Sequence, residues 1–182
     1  MIDVIVVGGG PAGLSAALFC NKNGLETTVF DADETWMHKA HLYNYLGIRS
    51  MDGSVYMERA RQHAVSDHGA TIREEPIESV SSGEGGFVVS SPTDDYRCEY
   101  LVLATGADRS LAEELGCAFT DEEVVDVDVT METSVPGAYA TGAMVRVEEW
   151  QAIISAGDGA AAALNILSTE AGEPFHDFDV PD

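Results

Sequence analysis

The chain opens Met-Ile-Asp-Val-Ile-Val-Val and runs directly into Gly8-Gly9-Gly10-Pro11-Ala12-Gly13; no other feature restricts the fold so strongly. A buried apolar strand meets a GxGxxG turn made by Gly8, Gly10 and Gly13. A helical stretch, Leu14–Lys22, follows, and a second apolar strand, Thr27–Phe30, ends in Asp31. This is the layout of a dinucleotide-binding βαβ unit. Gly8 permits a tight turn off the strand. Gly10 leaves room for backbone to approach a pyrophosphate, and Gly13 lets the helix pack close to the sheet. The free N–H groups and positive end of that helix then face the phosphates. Asp31, 18 residues after Gly13, has the spacing of a carboxylate that accepts hydrogen bonds from ribose hydroxyls. The alternative is a glycine turn that holds no ligand.

The rest of the chain alternates in the same manner. An irregular stretch, Ala32–Met51, carries Trp36, His38, His41, Tyr43 and Tyr45. The periodicity then predicts an amphipathic helix over Gly53–His68, with Val55, Met57, Ala60 and Ala64 inward and Gly69 at its end. Strand-like pieces at Ala70–Arg73, Ile77–Val80, Gly86–Ser90 and Tyr96–Cys98, separated by polar turns, suggest a β-meander. A further buried strand, Tyr100–Ala104, ends in Thr105-Gly106. A short helix is expected over Leu111–Leu115, a strand over Val124–Val129, and another strand before Thr141-Gly142. The last element is a small-residue helix, Gly159–Leu167, closed by Gly172, with an acidic tail, 173–182, that frays.

At 182 residues the chain is expected to be one domain with a real core. Its net charge of −23, from 32 acidic against 9 basic residues, repels nucleic acid and anionic lipid. The acid is spread along the chain, which argues against a disordered acidic arm. Adaptation to a salty cytosol is the simplest account, and docking to a basic partner competes with it. No apolar run long enough to cross a membrane stands out, and the first strand lacks the basic start of a signal peptide, so a cytoplasmic protein is expected. Cys20, Cys98 and Cys117 form no CxxC and no metal-ligand cluster. Cys20 and Cys98 read as buried structural thiols, whereas Cys117 follows Gly116 in a less regular stretch that could be exposed.

Taken together, four segments make the chain resemble the FAD domain of thioredoxin-reductase-like flavoproteins. They are Gly8–Gly13 with Asp31; Asn44-Tyr45-Leu46-Gly47 before Asp52-Gly53; Leu103-Ala104-Thr105-Gly106; and the run from Thr133-Ser134-Val135-Pro136-Gly137 through Thr141-Gly142 to Gln151–Gly159. The resemblance implies an α/β, Rossmann-like FAD-binding fold with a central parallel sheet and an added β-meander. It also implies site roles. Gly8, Gly10, Pro11, Ala12 and Gly13 would hold the pyrophosphate, and Asp31 the adenosine ribose. Backbone around Ile77 would lie against adenine, and Asn44, Thr105 and Gly106 would line the path to the flavin. Gly142 would approach the ribityl chain or phosphate, and Gln151 and Ala152 would face the pyrimidine edge of the isoalloxazine.

Three departures from the family accompany these matches. Its second, NADPH-binding domain is missing from its usual place: the halves 1–106 and 117–172 join directly, giving a single FAD-binding domain over 1–172. The redox-active CxxC is absent with it. The acid that grips the ribityl chain is Ala143 here, at a cost of about 1.5–3 kcal/mol for a lost charge-assisted hydrogen bond, and the arginine before Gln-Ala is Trp150. His38, Lys39 and His41 fall where the flavin should be bordered, so each is either a surface-loop residue or an acid/base group near the ring. Trp150 reads as a core or dimer-contact residue rather than a flavin stacker, and Asp158 as a helix cap.

The function expected from this is a minimal FAD oxidoreductase without an intrachain dithiol. Its donor would be NAD(P)H, a small reduced carrier or a partner protein. A non-catalytic FAD-binding subunit or sensor is the second reading, and a site that holds NAD in place of FAD is a third. A homodimer is expected to cover the opening near Trp36, Tyr45 and Trp150, through the loop 36–47 or the segment 145–151.

Overall fold

Strand β1 (Ile2–Val7) lies at the centre of the sheet and is buried on both faces. Val4 and Val6 point into one apolar cluster and Ile5 and Val7 into the other. A computed structural model describes residues 1–83 and 85–180. In it, β1 pairs in parallel with β2 (Thr27–Phe30) on one side and with β8 (Asp95–Leu103) on the other. Outward from these lie β5 (Thr71–Arg73), parallel to β2, and β9 (Ala138–Ala140), parallel to β8. The parallel order is therefore β5-β2-β1-β8-β9. Strands β6 (Ser79–Gly83) and β7 (Gly86–Ser90) add an antiparallel meander to the N-terminal half of β8, completing the expected α/β architecture.

The two pieces expected at Tyr96–Cys98 and Tyr100–Ala104 are one strand. Along β8, exposed Arg97 and Glu99 alternate with buried Cys98 and Tyr100, and then Leu101, Val102 and Leu103 are all buried. The pattern changes where β8 leaves the half-solvated meander and enters the parallel sheet, which is covered on both sides. On one side α1 (Pro11–Lys22) and α4 (Ala152–Ala171) pack against each other and the sheet; on the other, the meander and α3 (Ser110–Leu115) close the second cluster. Each fully buried Val, Leu or Ile in these clusters contributes about 1.5–3 kcal/mol.

Helix α4 begins seven residues before the expected Gly159, at Ala152. Its glycines suggest a break, but a Cβ on Gly159 would overlap the Ala12 carbonyl oxygen. The glycine is there to let α1 approach, and the packing outweighs the roughly 1 kcal/mol propensity cost. Gly172, left-handed at φ 69°, closes the helix as expected. By length and composition alone α4 could cross a membrane, unlike anything expected from the sequence; here its buried stripe of Ala162, Ala163, Ile166 and Leu167 belongs to the core beside α1.

Four other expectations are corrected. Helix α2 (Gly53–Gln62) ends in a π turn, His63–Asp67, and buries Met57 and Ala64 but exposes Val55. Val55 is two positions from Met57, about 200° around the helix. Val124–Val129 makes only isolated bridges, Phe119 to Val125 and Val127 to Thr133, because Asp128 Oδ1 accepts the N–H groups of Thr130 (2.7 Å) and Glu132 (3.1 Å) and turns the chain. Cys117 is buried, as are Cys20 and Cys98. The described part of the tail is pinned: Lys22 Nζ pairs with Asp177 at 2.7 Å and with Asp179, and Phe175 N–H donates to Ser168 Oγ. Within the irregular stretch, a 3-10 turn, Trp36–Lys39, leads into a two-residue hairpin of β3 (His41–Leu42) and β4 (Met51–Asp52).

Candidate functional site

The carboxyl ends of the parallel strands are tied to one another just beyond the sheet. Gly8 N–H donates to Phe30 O (2.8 Å), Ala104 N–H to Val7 O (2.8 Å), and Thr141 N–H to Leu103 O (3.0 Å). Outside these ends lies a cleft of about 610 Å³, where open α/β sheets bind ligands. It is lined by Gly8, Gly10, Pro11 and Ala12 from the turn, by Asp31 and Ile77, by Thr105 and Gly106, and by Gly142, Ala143, Gln151 and Ala152. Residues expected at a flavin adenine dinucleotide from both ends of the chain therefore share one cavity.

The turn glycines divide the work. Gly8 holds φ 107°, and a Cβ there would overlap the Ala104 carbonyl. A Cβ on Gly13 would overlap the Gly8 carbonyl, so Gly13 packs helix against turn and stands behind the cleft. A Cβ on Gly10 would meet only Thr35 Oγ1 at 3.7 Å. The space in front of Gly10 is open, at the N-terminus of α1, where the first N–H groups of a helix lack intrahelical partners. A pyrophosphate fits that donor set.

Asp31 is buried, and one carboxylate oxygen accepts the Asp33 N–H at 3.0 Å. The other pairs with Arg61 Nη2, which also reaches Asp33 Oδ1 at 3.0 Å. A carboxylate has about four acceptor sites, so Asp31 retains capacity for ribose hydroxyls while Arg61 holds it in place. Arg61 was not anticipated; its only sequence signal was a basic residue on the helix that follows the flavin-side loop.

Thr105 Oγ1 donates to Asp108 O at 2.6 Å, and Asp108 Oδ1 accepts the Ser110 N–H at 2.9 Å, which holds the Asp108 carboxyl below the usual range. Asn44 stands outside the lining but donates from Nδ2 to Gln151 Oε1 at 2.6 Å, joining the irregular stretch to the N-terminus of α4. His38, Lys39 and His41 do not line the cleft. His38 bridges Asp33 (2.8 Å) and Ser54 (3.2 Å), His41 bridges Asp52 (2.6 Å) and Ser50 (2.8 Å), and Lys39 is exposed. Both imidazoles brace the loop. Tyr45 packs on Tyr56, also away from the lining.

One feature near α4 differs from expectation. Asp158 is no cap: Gln151 holds the N-cap position, and Asp158 is buried about two turns in, paired with Arg146 at 2.5 Å. Trp150 lines the cleft beside Trp36, with ring centroids 5.3 Å apart.

A glycine turn, an acid at the next strand end and a cleft across parallel strand ends define a dinucleotide-binding α/β protein. More narrowly, the chain belongs to the pyridine nucleotide-disulphide oxidoreductase family, whose sequence model matches residues 2–112. A thioredoxin reductase of Treponema pallidum is 34% identical over 116 residues, 58% of this chain and 36% of that protein. A bifunctional thioredoxin reductase/thioredoxin of Mycobacterium leprae is 29% identical over 163 residues, 87% of this chain and 33% of that protein. The chain thus spans about a third of the length of the curated relatives it matches. Among solved structures, a thioredoxin reductase from Gloeobacter violaceus superposes with a TM-score of 0.87 at 21% identity, covering 99% of this chain and 98% of that one. That likeness establishes the fold: α/β, with the mostly parallel Rossmann-like sheet of thioredoxin reductases.

Proposed function

We propose that the chain is a FAD-dependent oxidoreductase that receives electrons from a diffusible donor, NAD(P)H or a small reduced carrier, or from a partner protein. The observation that carries this reading is the single cleft that gathers the glycine turn, Asp31, Ile77, Thr105–Gly106, Gly142 and Gln151–Ala152. When bound, FAD would supply the capacity to accept a hydride or electrons and pass them on. The chain's own residues bind and orient. Gly10 and the N-terminus of α1 receive the pyrophosphate, and Asp31, held by Arg61, receives the ribose. Gln151, held by Asn44, faces the ring's pyrimidine edge. The N-terminus of the 20-residue α4 favours negative charge at that edge. The three cysteines are scattered and buried, so exchange through a dithiol of this chain is no part of the proposal.

Purification in high salt followed by an absorption spectrum tests the reading. A flavin spectrum, or FAD uptake on reconstitution, is the expected result; a colourless protein that takes up no FAD overturns it. The second reading, a non-catalytic FAD-binding subunit or sensor, is favoured by Ala143, which presents a methyl group to the cleft where the family's acid is expected. Rapid reduction of the bound flavin by NADH or NADPH alone counts against it. Reduction only with a co-purified partner supports it. A cytoplasmic homodimer, paired near Trp36–Gly47 or Val145–Gln151, belongs to the same proposal, and light scattering in high salt tests the pairing.

A further inference from the structure

Asp33 holds a left-handed backbone, φ 56°, which costs a residue with a Cβ more than it costs glycine. At Gly24, Gly69 and Gly116 the same conformation is given to glycine. At position 33 an aspartate occupies it, and its polar groups all have partners. Its N–H donates to Asp31 Oδ1 at 3.0 Å. Its Oδ1 accepts from Arg61 Nη2 at 3.0 Å and bonds His38 Nε2 at 2.8 Å, while His38 Nδ1 reaches Ser54 Oγ at 3.2 Å. The hydrogen bond from His38, with the charge of Arg61, holds the Asp33 carboxyl below its usual range. Ala32 and Glu34 line the cleft on either side, but Asp33 stands behind the lining, so what it does for a ligand it does through its neighbours.

The neighbour that matters is Asp31. A Cβ on Gly9 would overlap the Asp31 carboxylate, so this acid lies against the glycine turn. In a dinucleotide the adenosine ribose is joined directly to the pyrophosphate, which puts its hydroxyls within reach of an acid placed there. Arg61 reaches Asp31 Oδ2 through Nη2, and the same nitrogen reaches Asp33. Nη2 carries two hydrogens, one for each carboxylate. An unshared guanidinium prefers to fork onto one carboxylate and fill both its oxygens. We infer that Asp33 is a positioning residue of the dinucleotide site: it draws Arg61 into a shared, single-pronged contact and so keeps the Asp31 carboxylate open to the ribose hydroxyls. The inference rests on the FAD reading above. The left-handed turn at Asp33 is then strain held for binding, not for stability.

The test uses the full chain in high salt, titrated separately with FAD, ADP and 2′,3′-dideoxy-ADP, which lacks both ribose hydroxyls. Wild type should bind ADP about tenfold tighter than the dideoxy compound, the lower end of a hydrogen bond to a charged group. Asp33→Gly relaxes the turn and gives up only exposed ion pairs, so its melting temperature should stay close to wild type. Its ADP affinity should nevertheless fall about fivefold or more, with dideoxy-ADP changed less than about twofold. Asp33→Asn keeps a short acceptor for Arg61 and His38 and should show an intermediate preference. A preference for ADP in Asp33→Gly equal to that of wild type overturns the inference and leaves the FAD reading standing. So does a parallel loss for both ligands with a lower melting temperature, which would mark a structural role. Wild-type protein that binds neither FAD nor ADP overturns the FAD reading, and the inference with it.

Discussion

Arg146 grips the buried carboxylate of Asp158 with two nitrogens: Nη2 lies 2.5 Å from Oδ1 and Nε 3.3 Å from Oδ2. Asp158 is only 6% exposed, and donating hydrogen bonds to its carboxylate holds the Arg146 guanidinium above its usual range. The pair ties the segment before α4 to the body of that helix, and Arg146 also supplies the carbonyl that anchors Trp150. Arg146→Ala leaves a buried carboxylate unpaired and should cost about 1–3 kcal/mol, discounted because the arginine is partly exposed. The Arg146→Ala/Asp158→Ala double variant should lose less than Arg146→Ala alone, since no charge stays buried. Urea denaturation of the three variants measures both values; equal losses would show that the charge is not the issue.

Gly10 and Gly13 should separate binding from folding. Gly10 faces open cleft, so Gly10→Glu should fold with a melting temperature near wild type and lose FAD, because its carboxylate occupies the pyrophosphate position and repels it. A Cβ on Gly13 would overlap the Gly8 carbonyl, so Gly13→Ala should destabilise by about 1–3 kcal/mol. Full FAD occupancy in Gly10→Glu would show that the glycine turn does not hold the cofactor.

Ala143 lines the cleft directly after Gly142. Ala143→Asp restores an acceptor for ribityl hydroxyls and should tighten FAD about tenfold, the lower end of a charge-assisted hydrogen bond. Weaker binding in a fluorescence titration would mean that the local backbone has drifted from the family's geometry.

Burial pushes the Cys20 and Cys98 thiols from an ordinary 9.0 up to about 12, and raises Cys117 as well. A raised value in the folded state means the neutral thiols stabilise the fold fully below pH 9. That contribution is lost as pH climbs toward 12, where the unfolded chain ionises first. At pH 8 a thiol reagent should react with none of the three cysteines in the native protein and with all three in guanidinium. A fast-reacting native thiol would place one of them at the surface.

A net charge of −23 on 182 residues repels itself most in dilute salt, where the screening length reaches about 30 Å at 0.01 M. Melting temperature should rise steadily with KCl. A flat response would favour a basic partner as the reason for the acid.

The sequence by itself determined the parts whose signal is local. Val4–Val7 into Gly8–Gly13, and Thr27–Phe30 into Asp31, are legible because a buried strand, a glycine turn and a helix start each impose residue types on neighbouring positions. The meander was legible for the same reason, through alternation and polar turns. Only the tertiary structure decided the rest. Whether Gly159 breaks α4 or admits α1 depends on Ala12, far away in the chain. Asp158 looks like a cap until Arg146 is brought to it, and Asp31 looks free until α2 delivers Arg61. From their place in the sequence the histidines are either loop residues or acid/base groups, and their hydrogen bonds to Asp33, Ser54, Asp52 and Ser50 brace the loop. In each case the energy lies in a contact between residues many positions apart, and sequence periodicity carries no record of which distant partner a side chain will meet.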